Sequence, residues 1–142
     1  LGFVQATTQR LAREYLRSTK RSLAYTSTIK HGSLIIMATI TNKRGDTFEL
    51  SATLENSGNP VDITNFTITS QVRDVADALL QALTVTVTDA NAGAFTVSAT
   101  PAQTETWGVK TYVCDIEFVE VGGEVNSTET FEINVLKDIT RD

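Results

Sequence analysis

The sequence predicts an all-β domain, an immunoglobulin-like antiparallel β-sandwich of about seven strands preceded by a basic N-terminal helix or disordered arm. Three observations lead there. Thr (23), Val (13) and Ile (9) supply 45 of the 142 residues, a bias toward side chains that fit a pleated surface. Only two prolines interrupt them. From residue 37 onward, short runs of alternating apolar and polar residues recur between turn-rich segments, the pattern of strands with one buried face. A small barrel is the alternative packing of the same strands.

The elements follow in order. Thr47–Leu54 alternates Phe48, Leu50, Ala52 and Leu54 against Thr47, Glu49, Ser51 and Thr53, and ends at the turn signal Asn56-Ser57-Gly58-Asn59-Pro60. Phe66, Ile68, Ser70 and Val72 share one face of the next strand, which Arg73-Asp74 closes. Val75, Leu79 and Leu83 stack at four-residue spacing, so Val75–Leu83 reads as a short helix or a broken strand. Leu83, Val85 and Val87 alternate with Thr84, Thr86 and Thr88, and Asp89–Gly93 turns the chain into Phe95–Ala99 as a hairpin. A polar stretch after Pro101 reaches Trp107-Gly108. Tyr112, Cys114, Ile116 and Phe118 then face one way, with Asp115 and Glu117 the other, before a turn at Gly122-Gly123. Phe131, Ile133 and Val135 line the inner face of the last strand.

The net charge of −5 conceals an asymmetry. Leu1–His31 holds six Lys/Arg against one acid, and Gly32–Asp142 holds six against sixteen, which is +5 beside −10. Val4, Leu11 and Tyr15 lie on one side of an amphipathic helix, with Arg10, Arg13, Arg17 and Arg21 on the other. Those arginines are candidate contacts for an anionic membrane, nucleic acid phosphates, an acidic partner or the acidic domain of the same chain. Residues 1–36 are accordingly a basic extension or leader, and 37–142 the β-sandwich domain. Two readings of the leader stand: a native element, or a stretch upstream of a natural start at Met37. The apolar run Leu34–Ala38 is too short for a membrane span and badly placed for a signal peptide.

Candidate chemistry is sparse. One Cys leaves no intramolecular disulfide or Cys-rich zinc site, and one His leaves no site needing two imidazoles. His31 sits in the leader, and no Gly-x-Ser-x-Gly elbow is present. Cys114 falls on an apolar strand face, where a thiol behaves as a small hydrophobe. The acids Asp115, Glu117, Glu120, Glu129 and Glu132 read as a solvated outer face, with calcium near Asp89 and Asn91 a minor alternative. Arg44-Gly45-Asp46 reads as a turn before a strand. Asn65-Phe66-Thr67 and Asn126-Ser127-Thr128 fit a glycosylation sequon, relevant only in a secretory pathway that nothing in the sequence indicates. Trp107, in a Gly-flanked loop, is either core packing or a surface contact. No catalytic, cofactor-binding or metal-binding residue is expected.

Several short motifs occur in a familiar order: Arg44-Gly45-Asp46-Thr47-Phe48, Gly58–Thr64, Gln71-Val72-Arg73-Asp74, Gly93-Ala94-Phe95, Tyr112–Ile116 and the closing Val135–Arg141. Together they resemble small structural proteins of tailed bacteriophages with an immunoglobulin-like fold, nearest the N-terminal domain of baseplate upper proteins. The resemblance spans nearly all of Met37–Asp142. It implies a non-enzymatic tail, baseplate or neck module in the virion, assembled in the bacterial host cytoplasm. Other phage structural proteins and further copies of the same chain are its implied partners. No residue role transfers with it. The rival expectation is a carbohydrate-binding or adhesion module outside a virion, which calls for a line of exposed aromatics. A nucleic-acid role for the β-domain is disfavoured by its acidity.

Overall fold

The computed structural model describes residues 24–30 and 39–140, so the expected basic helix with Arg10, Arg13, Arg17 and Arg21, together with His31 and Met37, lies outside the described residues. Strand β1 (Ala24–Lys30) is followed by β2 (Ile40–Lys43), β3 (Phe48–Asn56), β4 (Asn59–Pro60), β5 (Phe66–Arg73), β6 (Leu79–Ala82), β7 (Thr84–Asp89) and β8 (Ala94–Ala99). A short helix, α1 (Pro101–Thr104), precedes β9 (Thr111–Glu120), β10 (Val125–Ser127) and β11 (Phe131–Leu136). The first sheet runs β1-β3-β8-β7 with β4 beside β3. The second runs β2-β11-β9-β5-β6 with β10 beside β9.

These two sheets form the expected sandwich. The count exceeds seven because β2, β4, β6 and β10 are only two to four residues long, too short for alternation to announce. Pairing is antiparallel except at two edges, where β2 runs parallel to β11 and β1 parallel to β3. β1 falls within the residues read from sequence as a leader, and it pairs with β3 without a break from Ala24 opposite Glu49 to Lys30 opposite Glu55.

The alternation decides the core. Phe48, Leu50, Ala52 and Leu54 of β3 are buried, as are Phe95, Val97 and Ala99 of β8. Facing them are Tyr112, Cys114, Ile116 and Phe118 of β9, with Phe131, Ile133 and Val135 of β11. The sheets meet edge to face where the Phe95 and Phe118 rings lie 5.6 Å apart at 79°, a geometry that aromatic quadrupoles favour.

Val75–Leu83 is a turn followed by β6, the broken-strand alternative. Asp74 Oδ1 accepts the amides of Ala76 and Ala78 at 2.8 and 3.0 Å, and this side-chain capture competes with helical pairing. β6 and β7 are then one edge in two parts. At Leu83, whose amide donates to the Ser70 carbonyl, the chain passes from the second sheet to the first. The helix in this domain is instead α1. Thr100 caps it, accepting from the Gln103 amide, while the Gln103 side chain accepts from the Thr100 amide at 2.8 Å. Pro101 in the first turn completes a recognisable start signal.

Candidate functional site

The outer face of the second sheet carries a groove of about 440 Å³ lined by the outward side chains of β5 and β9. Arg73 is already committed there. Its guanidinium donates to the Asp77 carbonyl and to Gln71 Oε1, both at 2.8 Å, and stands 3.6 Å from Asp77 Oδ1. Asp115 lies across the strand from Gln71 and Glu117 from Thr69, so neither carboxylate faces a cation on β5. The groove is therefore acidic, open and without an aromatic wall. Sugar stacking has no platform in it.

Behind this face the one thiol points inward. Cys114 is 2% exposed, with Ser70 Oγ 3.3 Å from its sulfur. Burial pushes its pKa up to about 12, since desolvation disfavours the thiolate. It packs as a core side chain, as the strand face predicted.

Trp107 is fully buried, with its ring 5.8 Å from that of Phe48 and 6.5 Å from that of Tyr112. It takes the core alternative, and in this fold it offers no surface to a partner. Arg44 and Asp46 lie in the β2–β3 connection, where Arg44 N–H donates to the Leu136 carbonyl and Asp46 N–H to that of Lys43. Asp89 Oδ1 accepts the Ala92 amide at 3.1 Å, which assigns that carboxylate to a turn. Among the described residues no three of His, Cys, Asp and Glu converge as metal ligands. Asp62 has its carboxyl held below the usual range by the hydroxyl and amide of Thr64, again a turn contact. Asn65 is exposed and Asn126 half-buried. No described helix is long and apolar enough to cross a membrane.

Sequence reasoning overlooked one surface, the lateral edge built by β6 and β7. Ala78–Thr88 holds no charged residue, although 20% of the chain is charged, and β6 and β7 are the last strands of their sheets. The uncharged run was the available signal.

Fold and surface together define an immunoglobulin-like sandwich in which Asp62, Asp74 and Asp89 serve turns and Thr128 and Ser70 serve the strands beside β9. Residues 20–142 match the family described as the BppU N-terminal domain, and the chain belongs to that family, the N-terminal domains of phage baseplate upper proteins. It is thus a phage virion structural domain. The chain is similar in structure to the N-terminal domain of phage TP901-1 ORF48, at 15% identity and a TM-score of 0.55, over 79% of this chain and 97% of that one. That likeness concerns the fold. CopC from Methylosinus trichosporium OB3b is 12% identical over 74% of this chain and 90% of its own, with a TM-score of 0.46. The fibronectin(III)-like modules of Clostridium thermocellum CbhA are 20% identical over 74% and 92%, with a TM-score of 0.41. No curated protein sequence matches the chain.

Proposed function

We propose that this domain is a non-enzymatic assembly module of a tailed-phage virion, which docks through its sheet edges and loops on other virion proteins and is present in several symmetric copies. The observation that carries the reading is family membership over residues 20–142. The chemistry agrees with it: the thiol is buried and protonated, Arg73 of the groove is engaged by Asp77 and Gln71, and the hydrogen bonds accepted by Asp62, Asp74 and Asp89 are spent on turns. A sandwich offers such a module edges that a partner strand can extend.

Crosslinking of virions purified from a phage that encodes this protein tests the reading. Lys43, Lys110 and Lys137 are exposed and provide amine anchors. The expected result is a set of links from these lysines to other virion proteins. Absence of the chain from purified particles, or its presence with no inter-protein link, overturns the proposal.

A further inference from the structure

We infer that the free edge of β7 is a self-pairing surface: β7 of one copy adds antiparallel to β7 of a second, joining their first sheets across a two-fold axis near Thr86. β8 pairs β7 on one side, from Thr84 opposite Ser98 to Val87 opposite Phe95, and no strand of the described residues pairs it on the other. An edge strand leaves alternate backbone N–H and C=O groups unpaired, and natural domains usually protect such an edge with Lys, Pro or a short strand. β2, by contrast, is four residues long and ends in Lys43. At the opposite end of the first sheet the terminal strand is β1, which closes on Lys30. β7 combines length with an unguarded edge: Thr84-Val85-Thr86-Val87-Thr88 carries neither charge nor proline.

The exposed side chains match this reading. Val87 shares the inward face with its cross-strand neighbour Phe95, yet it is 46% exposed where Phe95 is 1%. Leu79, on the β6 part of the same lateral edge, is 53% exposed. A second copy laid along β7 covers apolar surface that the single domain leaves in water.

Self-complementarity names the occupant. The run from Thr84 to Thr88 reads the same in both directions, so a two-fold near Thr86 sets Val85 opposite Val87 on the inner face and Thr opposite Thr on the outer one. Cross-strand pairs of β-branched residues favour such a ladder, and an isologous interface requires this symmetry. The register against β8 shifts between Val87 and Asp89, so the regular part of β7 is the uncharged run and Asp89 lies beyond it. The inference rests on the proposed reading only for the presence of several copies in one particle, because docking on other proteins is tested separately by the crosslinks.

Sedimentation velocity on the full 142-residue chain, from about 1 µM to about 300 µM, tests the pairing. The expected result is a dimer that grows with concentration. Thr86→Lys sets like charges opposite each other and should weaken the dimer about tenfold or more. Thr67→Lys, on the exposed face of β5, should leave it unchanged. Amide exchange in the unmodified protein should slow with concentration at residues 84–88. A monomer at every concentration overturns the inference, as does a dimer undisturbed by Thr86→Lys. Should that variant fail to fold, the exchange experiment decides: protection gained elsewhere but not at β7 overturns the pairing.

Discussion

The Gly108 amide donates to the phenol oxygen of Tyr112 at 2.8 Å, tying the connection after α1 back onto the start of β9. Immunoglobulin-like domains use this device, a tyrosine at the start of the corresponding strand bonding to backbone a few residues upstream. Here it also braces Trp107, whose ring packs between those of Phe48 and Tyr112.

Tyr112→Phe keeps the ring and removes only the acceptor. The expected loss is about 1 kcal/mol, the net worth of one partly buried hydrogen bond. Urea denaturation checks it, with the midpoint lowered and the slope m unchanged.

Gly93 sits where three chain segments touch. Its φ is +70°, and a Cβ there would stand 2.6 Å from the carbonyl oxygens of both Leu54 and Val61. Gly93→Ala is expected to cost about 3 kcal/mol, from backbone strain and displaced chain together. Gly58→Ala is the comparison. With φ +83° and nothing within 4 Å of the added carbon, it should cost about 1 kcal/mol, the left-handed penalty alone. Equal losses in the two variants, measured by denaturant unfolding, would refute this account of Gly93.

Thr128 fills the gap between β10 and β11 on the flank of β9. Its amide donates to the Ile116 carbonyl at 2.9 Å, and its hydroxyl accepts the Ile116 amide at 3.0 Å. Thr128→Val leaves a buried N–H without a partner and should cost about 2 kcal/mol. Thr128→Ser restores the acceptor and should recover most of it. Amide exchange at Ile116 gives the local readout, fast in the valine variant and protected in the serine one.

Cys114 makes alkaline stability depend on one thiol. Its folded pKa is raised from 9.0 to about 12 by burial, so its contribution is complete below the unfolded pKa and is lost as pH rises through that window. Between those values the unfolded chain holds fewer protons, and stability falls by up to about 1.4 kcal/mol per pH unit from this group. Cys114→Ala removes that slope. The difference between the two unfolding curves from pH 9 upward isolates the thiol from lysines and tyrosines that titrate alongside. A thiol reagent at pH 8 should react only at the rate of unfolding, and fast labelling of the native protein would contradict the buried thiol.

Much of the sandwich was legible because burial alternation is a local property. β3, β8, β9 and β11 each bury every second residue along their length. The Thr100–Gln103 capping box was equally legible from Thr-Pro-x-Gln, although the stretch reads first as merely polar. Trp107 was ambiguous for a different reason. A lone Trp beside Gly suits either a core or a surface, and only the ring of Phe48, 59 positions earlier, settles it.

The class of fold, the inward faces of the main strands and the resemblance to baseplate upper proteins are all readable from the chain, since each is written in residues close along it. Tertiary structure alone decided which strands neighbour one another: β2 against β11 some ninety positions away, β10 against β9, and β6 and β7 with nothing beyond them. Val85 and Val87 show the difference. Their alternation predicts an inner face, but the open side of the sandwich leaves Val87 half in water. Strand pairing is a long-range choice made by the whole core, and the surface left for partners is whatever that choice does not cover.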